Sequence, residues 1–196
     1  MSQVLVGSNV FGSARVYRLV GPAITVDASG GVIQVNANTK FNTNLPLDRY
    51  MLITQIKYFI TWTKMPASPA VGGANIGSWN IFAQLTEALA RTVPTTTDPV
   101  FVDEWTLFVK PGQESTAVGA IQHQIAFPGS IDRILYNPWS TAAQQLNQIV
   151  SLQPNNNEGT GGPSVSVAPV LEYQLLPLTA DILSYLATRV QIGGQA

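Results

Sequence analysis

From Leu52 the even-numbered side chains run Leu52, Thr54, Ile56, Tyr58, Ile60 and Trp62, while the odd-numbered ones from Gln55 run Gln55, Lys57, Phe59 and Thr61. Apolar groups at every second residue mark a strand, because successive side chains of an extended chain point to opposite faces. A helix would spread the same groups round its circumference. The surrounding apolar-rich run, 45–63, contains Asp48, Arg49, Gln55 and Lys57. It falls short of the roughly 20 apolar residues a membrane helix needs. The pattern predicts a long, central strand.

The period recurs along the chain. Trp79, Ile81, Ala83 and Leu85 share one phase, and so do Phe101, Trp105, Leu107 and Val109. Ile121, His123, Ile125 and Phe127 alternate with Gln122 and Gln124, and Val165, Val167, Leu171, Tyr173 and Leu175 form a further set. Shorter candidates lie at 14–20, 23–28 and 31–37. About eight strands separated by Gly, Pro and Asn turns predict an all-β protein, an antiparallel β-sandwich of the single jelly-roll kind. The turns agree: 27–31 suits a hairpin, and Lys110-Pro111-Gly112-Gln113 matches a type II turn. Polar loops are expected at 64–77, 90–99 and 153–163.

Two helices are expected. In 138–150, Pro138 stands near a start, Ser140 or Thr141 can cap, and Ala142, Ala143, Leu146, Ile149 and Val150 fall on a helical stripe. At the C-terminus Thr179 can cap, Asp181 favours the first turn and Arg189 the last. Ile182, Leu183, Leu186 and Val190 make the stripe there, and Gly193–Gly194 stops it. The expected organisation is an N-terminal arm at 1–14, one sandwich domain at 15–178, and a short C-terminal helix and tail at 179–196.

Charge changes the picture. Of 196 residues only 11% are charged, against roughly 25% in an ordinary soluble domain. Amides and hydroxyls stand in their place, as at Gln122, Gln124, Gln144, Gln145, Gln148 and Asn155–Asn157. Two compatible readings follow: an exterior buried against other subunits, where charges are depleted, and tolerance of extreme pH, since few groups titrate. A net charge of −1 gives no whole-protein field to gather nucleic acid. The absence of cysteine excludes disulfides, thiolate zinc sites and thiol nucleophiles. The first residues carry no basic segment ahead of their apolar ones, so no signal peptide is expected.

Candidate chemistry is sparse. His123 is the single histidine, on the apolar phase of an expected strand, with no second histidine or cysteine to complete a metal site. Asp103 and Glu104, with Asp98 nearby, are the nearest approach to a carboxylate cluster. Adjacent strand residues face opposite ways, so Asp103 and Glu104 cannot serve one substrate; Asp103, in phase with Trp105, suits a paired charge at a sheet end. The glycine-bearing stretches at 71–77 and 158–164 lack phosphate-loop spacing, and 155–163 lacks the spacing of a calcium loop. Arg15 and Arg18 flank Tyr17, either as strand-edge charges or as an arm touching phosphates or lipid headgroups. Trp62, Trp79, Trp105 and Trp139 suit core packing better than a carbohydrate platform, three of them lying on apolar phases. No catalytic, metal or cofactor residue is assigned.

The strand series from Leu52–Trp62 through Val165–Leu175, with the amide-rich composition and long polar loops, resembles the small vertical single-jelly-roll coat proteins of icosahedral, membrane-containing DNA viruses of archaea and thermophilic bacteria. That resemblance implies a structural virion protein rather than an enzyme, a capsid subunit self-assembling into an icosahedral shell. It implies an upright sandwich, partners that are copies of itself and sometimes a second capsid protein, and an inner side turned to viral membrane or genome. The helix at 179–190 has no place in that pattern. The loops named above and the terminal segments are the expected contacts. The alternative is an extracellular jelly-roll binding module, lectin-like or receptor-binding; an enzyme built on Asp103 or His123 is the least supported.

Overall fold

The computed structural model describes residues 4–8, 15–28, 35–64, 79–87, 101–109, 129–154 and 163–193. They form strands β1 (Val4–Ser8), β2 (Arg15–Val20), β3 (Ile24–Asp27), β4 (Val35–Asn42), β5 (Arg49–Lys64), β6 (Trp79–Glu87), β7 (Phe101–Val109), β8 (Ser130–Thr141), β9 (Gln145–Pro154) and β10 (Ser164–Pro177), followed by helix α1 (Ala180–Gly193). Pairing is nested and antiparallel: β6 with β7, β5 with β8, β4 with β9, and β3 with β10. Rolling this ladder up sets β10 beside β5 and β9 beside β6. The result is a six-stranded sheet, β1-β2-β10-β5-β8 with β3 also on β10, facing a four-stranded sheet, β4-β9-β6-β7. That is a single jelly roll with a C-terminal helix.

Between the sheets lies one apolar layer. Ile56, Tyr58, Ile60, Val165, Val167, Leu171 and Tyr173 come from the six-stranded sheet, and Trp79, Ile81, Ala83, Leu85, Leu146, Val150 and Leu152 from the other. Gln148 stands in this layer and donates its Nε2 to the Val167 carbonyl at 3.0 Å, tying one sheet to the other.

Strand β5 is long and central as expected, but its buried phase changes midway. Met51 and Ile53 are fully buried while Leu52 and Thr54 are only half-buried, the reverse of the even-numbered expectation at that end. The cause is a β-bulge: Gln55 opposes Glu172 and Ile53 opposes Tyr173, leaving Thr54 as the extra residue. Its Oγ1 donates to the Glu172 carbonyl at 3.3 Å. Thr63 repeats the device, lying between the pairs Trp62–Val165 and Lys64–Ser164 and donating to the Ser164 carbonyl at 3.1 Å.

The helix expected at 138–150 is not formed. Those residues are the end of β8, a turn, and most of β9. In β9 the outward Asn147, Ile149 and Ser151 are buried as well as the inward residues, so the period-two signature vanishes and a stripe at helical spacing takes its place. Pro138 belongs to a wide irregularity of β8: Ile53 opposes Trp139 and Gln55 opposes Ile134, so 135–138 stand against Thr54 alone. An edge strand tolerates proline at such a point, where no ladder N–H is needed. The C-terminal helix is present. Thr179 caps it through its Oγ1 and carbonyl to the amides of Ile182 and Leu183. It runs to Gly193, so Arg189 falls before the last turn rather than in it. Of its apolar stripe Leu186 is buried, Ile182 half-buried and Leu183 exposed.

Strands β2 and β3 run along one side of β10 and are parted at Gly21–Ala23. There the Gly21 N–H donates to the Pro169 carbonyl at 2.8 Å. In an antiparallel strand a residue's N–H and C=O point the same way, so the N–H that Pro169 lacks would have faced this interruption and not the continuous β5. A Cβ on Gly21 would meet Pro169 Cγ at 2.7 Å and Phe41 Cζ at 3.2 Å. Gly21→Ala is therefore expected to lower stability by about 1–2 kcal/mol through overpacking. Urea unfolding midpoints compared with wild type measure it, and an unchanged midpoint would disprove the close approach.

Candidate assembly surfaces

One polar cluster sits between the sheets where β7 and β8 run along the same side. Asp103 of β7 is 5% exposed, and its Oδ1 accepts from Arg133 of β8, with Nη2 at 3.2 Å and Nε at 3.4 Å. The fully buried Tyr58 hydroxyl faces the same carboxylate, near enough to couple with it but outside hydrogen-bond geometry. Trp105 meets the Tyr58 ring edge-on, centroids 5.5 Å apart. Burial holds the Asp103 carboxyl above its ordinary range, against the opposing pull of Arg133. Burial, and then the Asp103 charge, push the Tyr58 phenol well above its own. Glu104 points the other way, opposite Gln84. The two carboxylates thus do not converge, and Asp103 is the paired charge its phase predicts.

The outer face of the six-stranded sheet is open and forms two adjacent cross-strand rows. Register fixes the first as Arg18, Glu172, Gln55 and Ile134, and the second as Val20, Val170, Lys57 and Asp132. Arg18 Nη2 lies 2.6 Å from Glu172 Oε1, and Lys57 Nζ lies 3.3 Å from Asp132 Oδ2. The Lys57 ammonium also stands 5.4 Å from the Phe59 ring centroid. Val20 (54%), Phe59 (46%) and Ile134 (71%) are exposed on this face. Between the pairs lies a depression of about 260 Å³ lined by Gln55, Phe59 and Val170 with the four charged side chains.

The outer face of the other sheet differs. Gln84, Asn147, Ile149 and Ser151 are buried there, and the amide atoms of Gln84 and Asn147 and the Ser151 hydroxyl have no hydrogen-bond partner among the described residues.

Of the residues singled out in the sequence, Arg18 is an ion-paired strand residue, and Arg15 is exposed on the same strand at the pair with Ser8. Trp79 and Trp105 are in the core, while Trp62 and Trp139 pack against its margin, Trp139 donating Nε1 to Glu87 at 3.0 Å. His123, Asp98, the turn at 110–113, the strand at 120–127 and nearly all of the three long loops lie outside the described residues. Lys57, Asp132 and Glu172 carry no motif. Register across three strands brings them together, and no single stretch of sequence displays that.

No family model matches the chain, and no curated protein matches it. Among solved structures it is similar to desmodium yellow mottle tymovirus, at 13% identity and TM-score 0.28, over 92% of this chain and 93% of that one. It is also similar to the insecticidal delta-endotoxin Cry8Ea1 from Bacillus thuringiensis, at 14% identity and TM-score 0.28, over 81% of this chain. The match spans 20% of the toxin chain. The jelly-roll assignment rests on the strand pairing described above and takes nothing from these likenesses.

Proposed function

We propose that this chain is a structural virion protein, a capsid subunit that assembles with copies of itself into an icosahedral shell, of the vertical single-jelly-roll kind its sequence resembles. The observation that carries the reading is the open face of the six-stranded sheet: a broad strand surface on which exposed apolar residues stand among charges already matched in pairs. Such a surface can be covered by a neighbour without stranding a charge. The low overall charge serves the same end. Weak contacts suffice when each subunit makes several in a closed array. The reading includes a second coat protein as a possible partner, membrane or genome on the inner side, and no catalytic role.

Electron microscopy of the purified chain across concentration and pH tests it. Capsomers, sheets or shells are expected. A species that stays solitary under all conditions rejects the reading, and a small discrete oligomer that binds saccharide on a glycan array would favour a binding module instead.

A further inference from the structure

We infer that the open face of the six-stranded sheet pairs with the same face of a second copy, about a two-fold axis lying in the interface. The occupant follows from the charge pattern. Both ion pairs point the same way across the sheet, cation on the β2 side and anion on the β8 side in each: Arg18 then Glu172 in one row, Lys57 then Asp132 in the next. The pairs occupy opposite halves of the face, one on β2 and β10, the other on β5 and β8. An in-plane two-fold passing between them lays the Arg18–Glu172 pair of one copy over the Lys57–Asp132 pair of the other. It also reverses the direction across the sheet, so Arg18 meets the second copy's Asp132 and Glu172 meets its Lys57. The surface is its own electrostatic complement, as an isologous contact requires.

The apolar side chains complete the match. Val20 on β2 and Ile134 on the edge strand β8 flank the pairs and Phe59 lies beside Lys57, so all three would leave water on contact. Farther along the face Thr25, Thr61, Ser166 and Ala168 are small and uncharged. These four add neither bulk nor charge, and the outward carboxylate of Asp27 stands beyond them at the end of β3. Area is sufficient: β8 runs beside 51–59 of β5, about 30 Å, and four strands with their side chains span roughly 20 Å, giving about 600 Å² per copy, at the lower end of specific interfaces. This contact deepens the capsid reading by naming one of its subunit interfaces, yet it can be tested apart from shell formation.

The test exchanges the two members of a pair, which keeps the contact within each chain and reverses it between chains. Sedimentation velocity on the full chain, at low salt and below the concentration of larger assembly, should show wild type in monomer–dimer exchange that weakens as salt is added. Lys57→Glu/Asp132→Lys should weaken self-association by on the order of tenfold or more, and so should Arg18→Glu/Glu172→Arg, because each now sets like charge against like. Circular dichroism should be unchanged in both. Mixing the two variants should restore dimers, since each is then the complement of the other. Wild-type self-association by either variant alone, or no recovery on mixing, would overturn the inference. Shells built equally well by both variants would overturn it while leaving the capsid reading; salt-sensitive dimers with no shell under any condition would do the opposite.

Discussion

Trp79→Ala should cost about 3–5 kcal/mol, the range for removing a large aromatic side chain from a packed interior. Trp79 is 1% exposed and opens β6, where it pairs with Val109 of β7 on one side and Pro154 of β9 on the other. Its ring fills one end of the layer between the sheets, and those backbones are fixed in the ladder and cannot close onto the void. Trp62 supplies the comparison. It lies only half-buried at the margin of the same core, so Trp62→Ala should cost distinctly less. Chemical unfolding with tryptophan-independent detection, such as far-ultraviolet circular dichroism, measures both. Equal losses would mean that the inner layer is not packed as described.

The second large effect is expected at Arg133 and depends on pH. Arg133→Ala leaves the Asp103 carboxylate buried without its cation, which would cost about 3–5 kcal/mol for a fully buried pair. Arg133 is itself 46% exposed, so screening by solvent reduces the expected loss to about 1–3 kcal/mol at neutral pH. The direction with pH follows from the raised Asp103 carboxyl. Its folded value lies above the ordinary 3.8, so in the window between the two the folded chain binds a proton that the unfolded chain releases. For this group stability therefore falls as pH rises through that window and is regained on acidification. Arg133 lowers the value, so its removal widens the window and deepens the loss at neutral pH. The deficit of Arg133→Ala should shrink steadily toward acid, and adding Asp103→Asn should remove most of it and flatten the profile. Urea midpoints at several pH values decide this: a deficit as large in acid as at neutrality would rule out the mechanism.

What could be read in advance depended on how many faces of a strand are buried. Where one face meets the core and one meets water, as on the second half of β5, alternation in the sequence named the inward residues correctly. On β9 both faces are buried, and Leu146, Ile149 and Val150 then imitate a helix. The bulge at Thr54 defeats alternation in another way, since one inserted residue transfers Leu52 from the expected inner phase to the outer one. The helix cap at Thr179 was visible because it depends on neighbours in sequence. The charge pattern on the open sheet was hidden because its residues lie as far apart as 18 and 172 and meet only once register is set.

The irregularity of β8 bears on how such molecules can go wrong. Among the described strands β8 borders the six-stranded sheet, and a border strand normally invites another strand to zip on, the route to fibrous aggregates. Here 135–138, with Pro138 among them, break the ladder spacing of β8 partway along its length. A newcomer can match only a few residues before the spacing fails. At high local concentration, that steers encounters away from endless ribbons and toward broadside meetings that can close.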